Sequence, residues 1–274
     1  MTAKRSLTLH SQAGKELPRI DAFADLYLKG VRPRHGDVIM IAGRSGTQKS
    51  GLALFWTANM NLPTLYFSAD MSPFTASTRL ASLLVGETTG QVEKGMTGPG
   101  RSRYLDALAE SQISFAFGSP ITWTQIDEEI DAYVELWNAY PRIVAFDNLM
   151  DFQGAQADYQ EQMTVMQGIT ELAHSTGITP IVMHHASDKG WEAKTNPWNP
   201  PSRDQIKGGL SEKPSLSLSV ALDPTTLDYR IACIKQRMGP SDPTASSYAV
   251  LRAEPDKTRF HALGTRLHRA SSAR

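Results

Sequence analysis

The chain has 274 residues, 41% of them hydrophobic and 20% charged, which is enough apolar material for one large core. Lysine plus arginine and aspartate plus glutamate number 28 each, so the formal net charge is zero and no whole-molecule field gathers nucleic acid; any polyanion contact has to come from a local patch. The single cysteine, Cys233, excludes an internal disulfide and a cysteine-based zinc site, and no stretch approaches the roughly 18 apolar residues that span a bilayer, so the expectation is a soluble, cytoplasmic protein in a reducing compartment with no membrane partner.

Residues 1–18 are polar, lack the apolar core of a signal peptide and read as a loose arm; Ile20 to Leu28 then has the spacing of a short amphipathic helix. Asp37 to Ser50, DVIMIAGRSGTQKS, reads as strand, loop and helix: Val38 to Ile41 are apolar, the loop is rich in small residues, and Leu52, Leu54, Phe55 and Ala58 have helical spacing. A second strand follows in PTLYFSADM, then a helix that starts near Pro73 and ends at Gly86. Residues 86–102 carry many glycines and read as an exposed loop with little fixed structure. The alternation resumes with a helix at 102–111, a strand at 113–117, a helix from Thr122 to Trp137, a strand at 142–147, a helix from Tyr159 to His174 and a strand at 180–184. Apolar strands separated by helices predict an α/β fold with a mainly parallel sheet flanked by helices. Past residue 215 strands recur without helices, which predicts antiparallel strands at the carboxyl-terminal end. One domain at 19–263 and a basic tail at 264–274 complete the layout.

The loop after the first strand nearly matches G-x-x-x-x-G-K-[ST], in which backbone N–H groups and a helix N-terminus hold phosphate. Gly43 fills the first position and Lys49 and Ser50 the last two, but Gln48 stands where the second glycine belongs, with Gly46 two residues earlier. Nucleotide contacts are expected from Gly43, Arg44, Ser45, Gly46, Thr47, Gln48, Lys49, Ser50 and Gly51.

Ligands of such a sheet sit at the carboxyl ends of its strands. Asp147 closes one and can hold magnesium or cap the turn that follows; Asp70 closes another and can take a proton from an attacking water or cap the next helix. His184 and His185 close a third; neighbours on a strand face opposite ways, so His185 is assigned to the site as a sensor of phosphate or nucleic acid, against a packed histidine. In residues 187–209, Lys189, Lys194, Arg203 and Lys207 alternate with Trp191, Trp198 and prolines, a composition that suits single-stranded nucleic acid or a solvated loop. In IKQRMGP, Lys235 and Arg237 share a face at a strand end, where they can serve a neighbouring copy's phosphates or face solvent.

Together these stretches resemble the motor domain of DnaB-type replicative helicases, among the RecA-like P-loop ATPases, over roughly Pro18 to Leu263. DVIMIAGRSGTQKS looks like the family's P-loop strand, TLYFSADM its second motif, RIVAFDNLMDF its Walker B strand, PIVMHHAS its sensor strand, DQIKGG its DNA-binding loop and KQRMGP its finger. The resemblance implies ATP and Mg2+ as ligands, with Lys49 and Ser50 on nucleotide and metal, Asp147 on the metal and Asp70 in place of a catalytic glutamate. It further implies Lys235 and Arg237 on the neighbour's γ-phosphate and DQIKGG, with Lys207, Gly208 and Gly209, as the DNA loop, where Lys207 or Arg203 substitutes for a missing arginine; Lys189 and Lys194 join it on composition alone. Ile206 stands where the family has a DNA-contacting arginine. The implied function is ATP-driven translocation on single-stranded DNA during replication by a homo-oligomeric ring, a hexamer, with a loader or primase as partner. The family's N-terminal collar has no counterpart here, which suggests a phage or plasmid source. The alternatives are a recombinase-like filament, or a degenerate ATPase acting as loader or scaffold.

Overall fold

The computed structural model describes residues 14–156, 158–187, 196 and 198–263. Ala24–Leu28 (α1) follows a single 3-10 turn. Ile39–Gly43 (β1), Lys49–Met60 (α2), Thr64–Ser68 (β2) and Pro73–Val85 (α3) come next. Thr89–Met96 (α4), Arg101–Glu110 (α5), Ile113–Phe117 (β3), Trp123–Trp137 (α6), Ile143–Asp147 (β4), Tyr159–Thr176 (α7) and Thr179–His185 (β5) continue the alternation. Leu216–Leu222 (β6), Asp228–Gln236 (β7), Tyr248–Glu254 (β8) and Arg259–Ala262 (β9) close the chain.

The strands form one sheet in the order β3-β2-β4-β5-β1-β6-β7-β8-β9. β1, β2 and β4 are buried at every position, as expected of strands covered on both faces. Alternation divides them: Ile39, Ile41, Tyr66 and Ala145 face a core shared with Leu52, Ala53 and Trp56 of α2. Met40, Phe67, Val144 and Phe146 face the other core, with Ile126 and Ile130 of α6 and Met166 and Ile169 of α7. Burying a side chain of that size stabilises by roughly 1.5–3 kcal/mol, so the two apolar faces fix the strand register.

The expected α/β architecture is present, with two differences. β6 pairs parallel with β1, so the antiparallel strands begin only at β7. The segment read as an exposed loop contains α4, whose Thr88 hydroxyl accepts from the Gln91 N–H while the Gln91 side chain accepts from the Thr88 N–H. Such a reciprocal cap satisfies two orphan donors and starts a helix despite its glycines. Residues 1–13 lie outside the described residues, but the rest of the expected arm belongs to the fold: Leu17 is buried and its N–H donates to the Pro33 carbonyl.

Because β1, β2, β4 and β5 run parallel, Gly43, Ser68, Asp147 and His185 end on one edge, with Gly43 level with His185 and Ser68 level with Asp147. β7 runs back the other way. Its Lys235 and Gln236 lie level with Ser217 and Leu216, and Leu216 is level with Ile39 at the start of β1.

Candidate nucleotide site

The loop after β1 is tied to itself. A side chain on Gly43 would come within 2.8 Å of both the Thr47 hydroxyl and the Val220 carbonyl, so this turn closes only on glycine. The Thr47 hydroxyl donates to the Arg44 carbonyl (2.8 Å), and Lys49 Nζ donates to the carbonyls of Gly43 (3.2 Å) and Arg44 (2.9 Å). Gln48 is the N-cap of α2 at φ 57° and ψ 34°, the left-handed conformation that glycine would adopt there. Holding a side chain in that conformation costs about 1–2 kcal/mol; the cradle keeps its glycine-like backbone despite the substitution. Gly51 makes room for it, since a Cβ there would lie 3.0 Å from Gln48 Oε1.

Directly beneath, the Ser50 hydroxyl donates to Asp147 Oδ1 (2.9 Å) and the Tyr66 hydroxyl to Asp147 Oδ2 (2.9 Å). Burial of Asp147, only 6% exposed, pushes its carboxyl above the ordinary range, and the Ser50 and Tyr66 hydroxyls pull it back. Asp70 reaches the same place from the end of β2, where its Oδ2 accepts from Asn148 Nδ2 (3.3 Å). The cap of α3 is Ser72, whose hydroxyl accepts from the Thr75 N–H, so Asp70 is not used as the helix cap.

Ser45 to Ser50, Asp70, Arg79, Asp147, Asn148 and His185 line one cavity of about 230 Å³. Small-ligand clefts usually measure roughly 300–1,000 Å³, so this one has the size for a phosphate chain, with base and sugar outside it. Magnesium favours hard oxygen donors and binds through one or two carboxylates plus substrate phosphates. The Ser50 and Asp147 pair fits that chemistry, and among the described residues no cluster of three His, Cys, Asp or Glu side chains offers an all-protein metal cage.

His184 and His185 diverge as alternation requires. His185 lines the cavity; His184 is fully buried, and its Nε2 donates to the Lys207 carbonyl (3.0 Å). Burial drives the His184 pKa down to about 4, which keeps the ring neutral. That bond and a bridge between Ala186 and Ile206 fasten the next loop to the end of β5. Ile206 is 2% exposed and serves as an anchor in the core, whereas Lys207 is exposed and Arg203 lies 3.7 Å from Glu212. Gly209 has φ +58° and follows Gly208 in a 3-10 segment, Lys207–Glu212. The stretch 187–209 therefore contains fixed structure where the sequence suggested none; Lys189, Trp191 and Lys194 lie outside the described residues.

Lys235 and Arg237 are remote from this cavity, at the opposite edge of the sheet. Lys235 Nζ donates to the Glu212 carbonyl and Arg237 to the Lys213 carbonyl (3.2 Å). Burial, with Arg237 and Arg203 nearby, lowers the Lys235 pKa to about 8.

Sequence reasoning did not single out Tyr66, Arg79 or Asn148. Asn148 was findable, because it follows Asp147 at a strand end. Tyr66 and Arg79 were not, since one reads as a β-former inside an apolar strand and the other as a charge on a helix face.

Residues 3–190 match the AAA domain family. Gene 65 protein of Mycobacterium phage L5 is 25% identical over 277 residues, covering 96% of this chain and 99% of the relative. Gene 65 protein of Mycobacterium phage D29 is 25% identical over 228 residues, covering 78% of this chain and 94% of the relative. A solved ATPase domain aligns with a TM-score of 0.75 and 15% identity over 95% of this chain and 98% of its own. A DnaB-like replicative helicase, whose structure was described together with its interactions with primase, aligns with the same score and identity over 95% of this chain and 67% of its own. The fold is that of DnaB-like helicase ATPase domains.

Proposed function

Because the chain belongs to the AAA domain family, we propose that it is a magnesium-dependent ATPase of the DnaB type, which assembles head to tail on single-stranded DNA and moves along it. The observation that carries this reading is the 2.9 Å bond from the Ser50 hydroxyl to Asp147 beneath a glycine-shaped loop that ends in Lys49. Backbone N–H groups of the loop and the Lys49 ammonium bind the phosphates. Ser50 and Asp147 hold magnesium, which when bound neutralises phosphate charge. Asp70 takes the proton of the attacking water, with Asn148 orienting its carboxylate, and His185 reports the phosphate state to the loop fastened behind β5.

Lys235 and Arg237 act on the cavity of the next copy, since they stand at the far edge of their own sheet. Arg203, Lys207, Gly208 and Gly209, with Lys189 and Lys194, form the DNA loop, in which Ile206 anchors rather than contacts. The domain up to residue 263 is the motor, and it takes in residues 14–18 of the expected arm. Phage-encoded relatives support the same origin for this chain. Among the described residues no helix is long and apolar enough to cross a membrane.

The glycine-like backbone at Gln48 favours a working cradle over a degenerate one. ATP hydrolysis measured with and without single-stranded DNA tests the proposal. DNA-stimulated turnover that needs magnesium is expected, and no turnover in either condition leaves a loader or scaffold. Strand separation at a forked substrate is the further expectation; DNA-dependent filaments without it would mean a recombinase-like protein.

A further inference from the structure

Tyr66 sits on β2 opposite Ala145 of β4, two positions before Asp147. Residues i and j+2 on neighbouring parallel strands lie on one face; a strand spacing of about 4.8 Å and a rise of about 6.6 Å over two residues put them about 8 Å apart, a span that a long aromatic side chain can bridge. The small Ala145 leaves the way open, and the Tyr66 hydroxyl crosses it to donate to Asp147 Oδ2 at 2.9 Å. The ring is fully buried and meets Phe115 edge-on, with centroids 5.6 Å apart; its hydroxyl also lies 3.4 Å from the Ser50 carbonyl, and the bond to Asp147 is the shorter of the two. An aliphatic residue would serve the apolar core equally well there, and only the hydroxyl reaches the carboxylate.

Asp147 thus has one oxygen for each hydroxyl, Oδ1 for Ser50 and Oδ2 for Tyr66. The two bonds differ in kind. Ser50 stands at the mouth of the cradle beside Lys49, whereas Tyr66 belongs to the core and holds the carboxylate from behind. We propose that Tyr66 is a positioning residue that fixes the Asp147 carboxylate with Oδ1 turned toward the phosphate cavity, and thereby sets the magnesium concentration at which nucleotide binds. This inference rests on the assignment of Ser50 and Asp147 to magnesium. Partners behind a metal ligand typically affect metal affinity by about 10- to 100-fold.

The test is Tyr66→Phe, which keeps the ring and removes the donor. Binding of a fluorescent ATP analogue is titrated with Mg2+, and binding of Mn2+ to the nucleotide-loaded protein is followed by electron paramagnetic resonance. The half-saturating metal concentration should rise roughly 10-fold, while analogue binding without metal stays near that of the unmodified protein; the thermal midpoint of the metal-free protein should fall, because the buried Asp147 Oδ2 loses its donor. An unchanged metal midpoint overturns the proposal. In an Asp147→Asn background, which removes the buried carboxylate and so also tolerates loss of its donor, Tyr66→Phe should add no further shift. A shift as large as in the unmodified protein means that Tyr66 acts by another route, and overturns it too. If the unmodified protein shows no metal-dependent analogue binding at all, the nucleotide-site assignment fails instead.

Discussion

The two edges of the sheet are built on opposite plans. At the edge where β1, β2, β4 and β5 end, the polar groups that face the cavity are tied into their own chain: Lys49 to two loop carbonyls, Ser50 to Asp147, which Tyr66 also holds, and Asn148 to Asp70. At the edge where β7 ends, Lys235 and Arg237 rest on the carbonyls of Glu212 and Lys213, and Arg237 is exposed. A preorganised pocket, and an exposed Arg237 beside a half-buried Lys235 at the far end of the same strands, make sense if one copy's cations complete another copy's pocket.

The sharpest way to break that contrast is Arg237→Ala. Cations supplied to a phosphoryl-transfer site contribute about 10³–10⁵ in turnover, so DNA-stimulated ATP hydrolysis should fall at least roughly 1,000-fold while binding of a fluorescent ATP analogue stays unchanged. Normal hydrolysis in this variant would remove the far edge from the chemistry. Lys49→Ala attacks the other edge and should lower both binding and turnover, the latter by at least about 100-fold. Mixing the two variants should restore part of the activity, because some interfaces then carry an intact Lys49 and an intact Arg237; no restoration would mean that each copy works alone.

A smaller effect concerns β5, the strand that links the cavity to the loop carrying Ile206 and Lys207. His184 has a folded pKa of about 4 against an ordinary value near 6.5. The unfolded chain therefore takes up the proton first as pH falls. Stability is complete above about pH 6.5 and is lost on acidification, by roughly 2 kcal/mol at pH 5. Denaturant unfolding at pH 7 and pH 5, compared with His184→Asn, isolates this contribution. Smallest is Gln48→Gly, which relieves the left-handed side chain and should raise stability by up to about 1 kcal/mol, read as a higher thermal midpoint with the cradle intact.

The pocket edge was legible in the sequence because its residues close apolar strands, and strand ends can be read from composition. Apolar runs separated by helices also announced a mainly parallel sheet, though not the order of its strands. Helix α4 was hidden by its glycines, although Thr88 and Gln91 carry the spacing of a reciprocal cap. Tyr66 was hidden for a different reason. Its role depends on a neighbouring strand placing Ala145 opposite it, and sheet register is a tertiary fact that no local pattern announces. The same holds for Ile206, whose core position follows from its bridge to Ala186.

The reversal of β7 puts Lys235 and Arg237 at the opposite end of the strands from the cavity, so in the proposed head-to-tail assembly copies joined in sequence have a direction. An open row always ends in one pocket that receives no cations, whereas a closed circle leaves none unserved. The rate per copy should accordingly step upward at the moment the row closes, and a single break anywhere should silence the pocket at the gap.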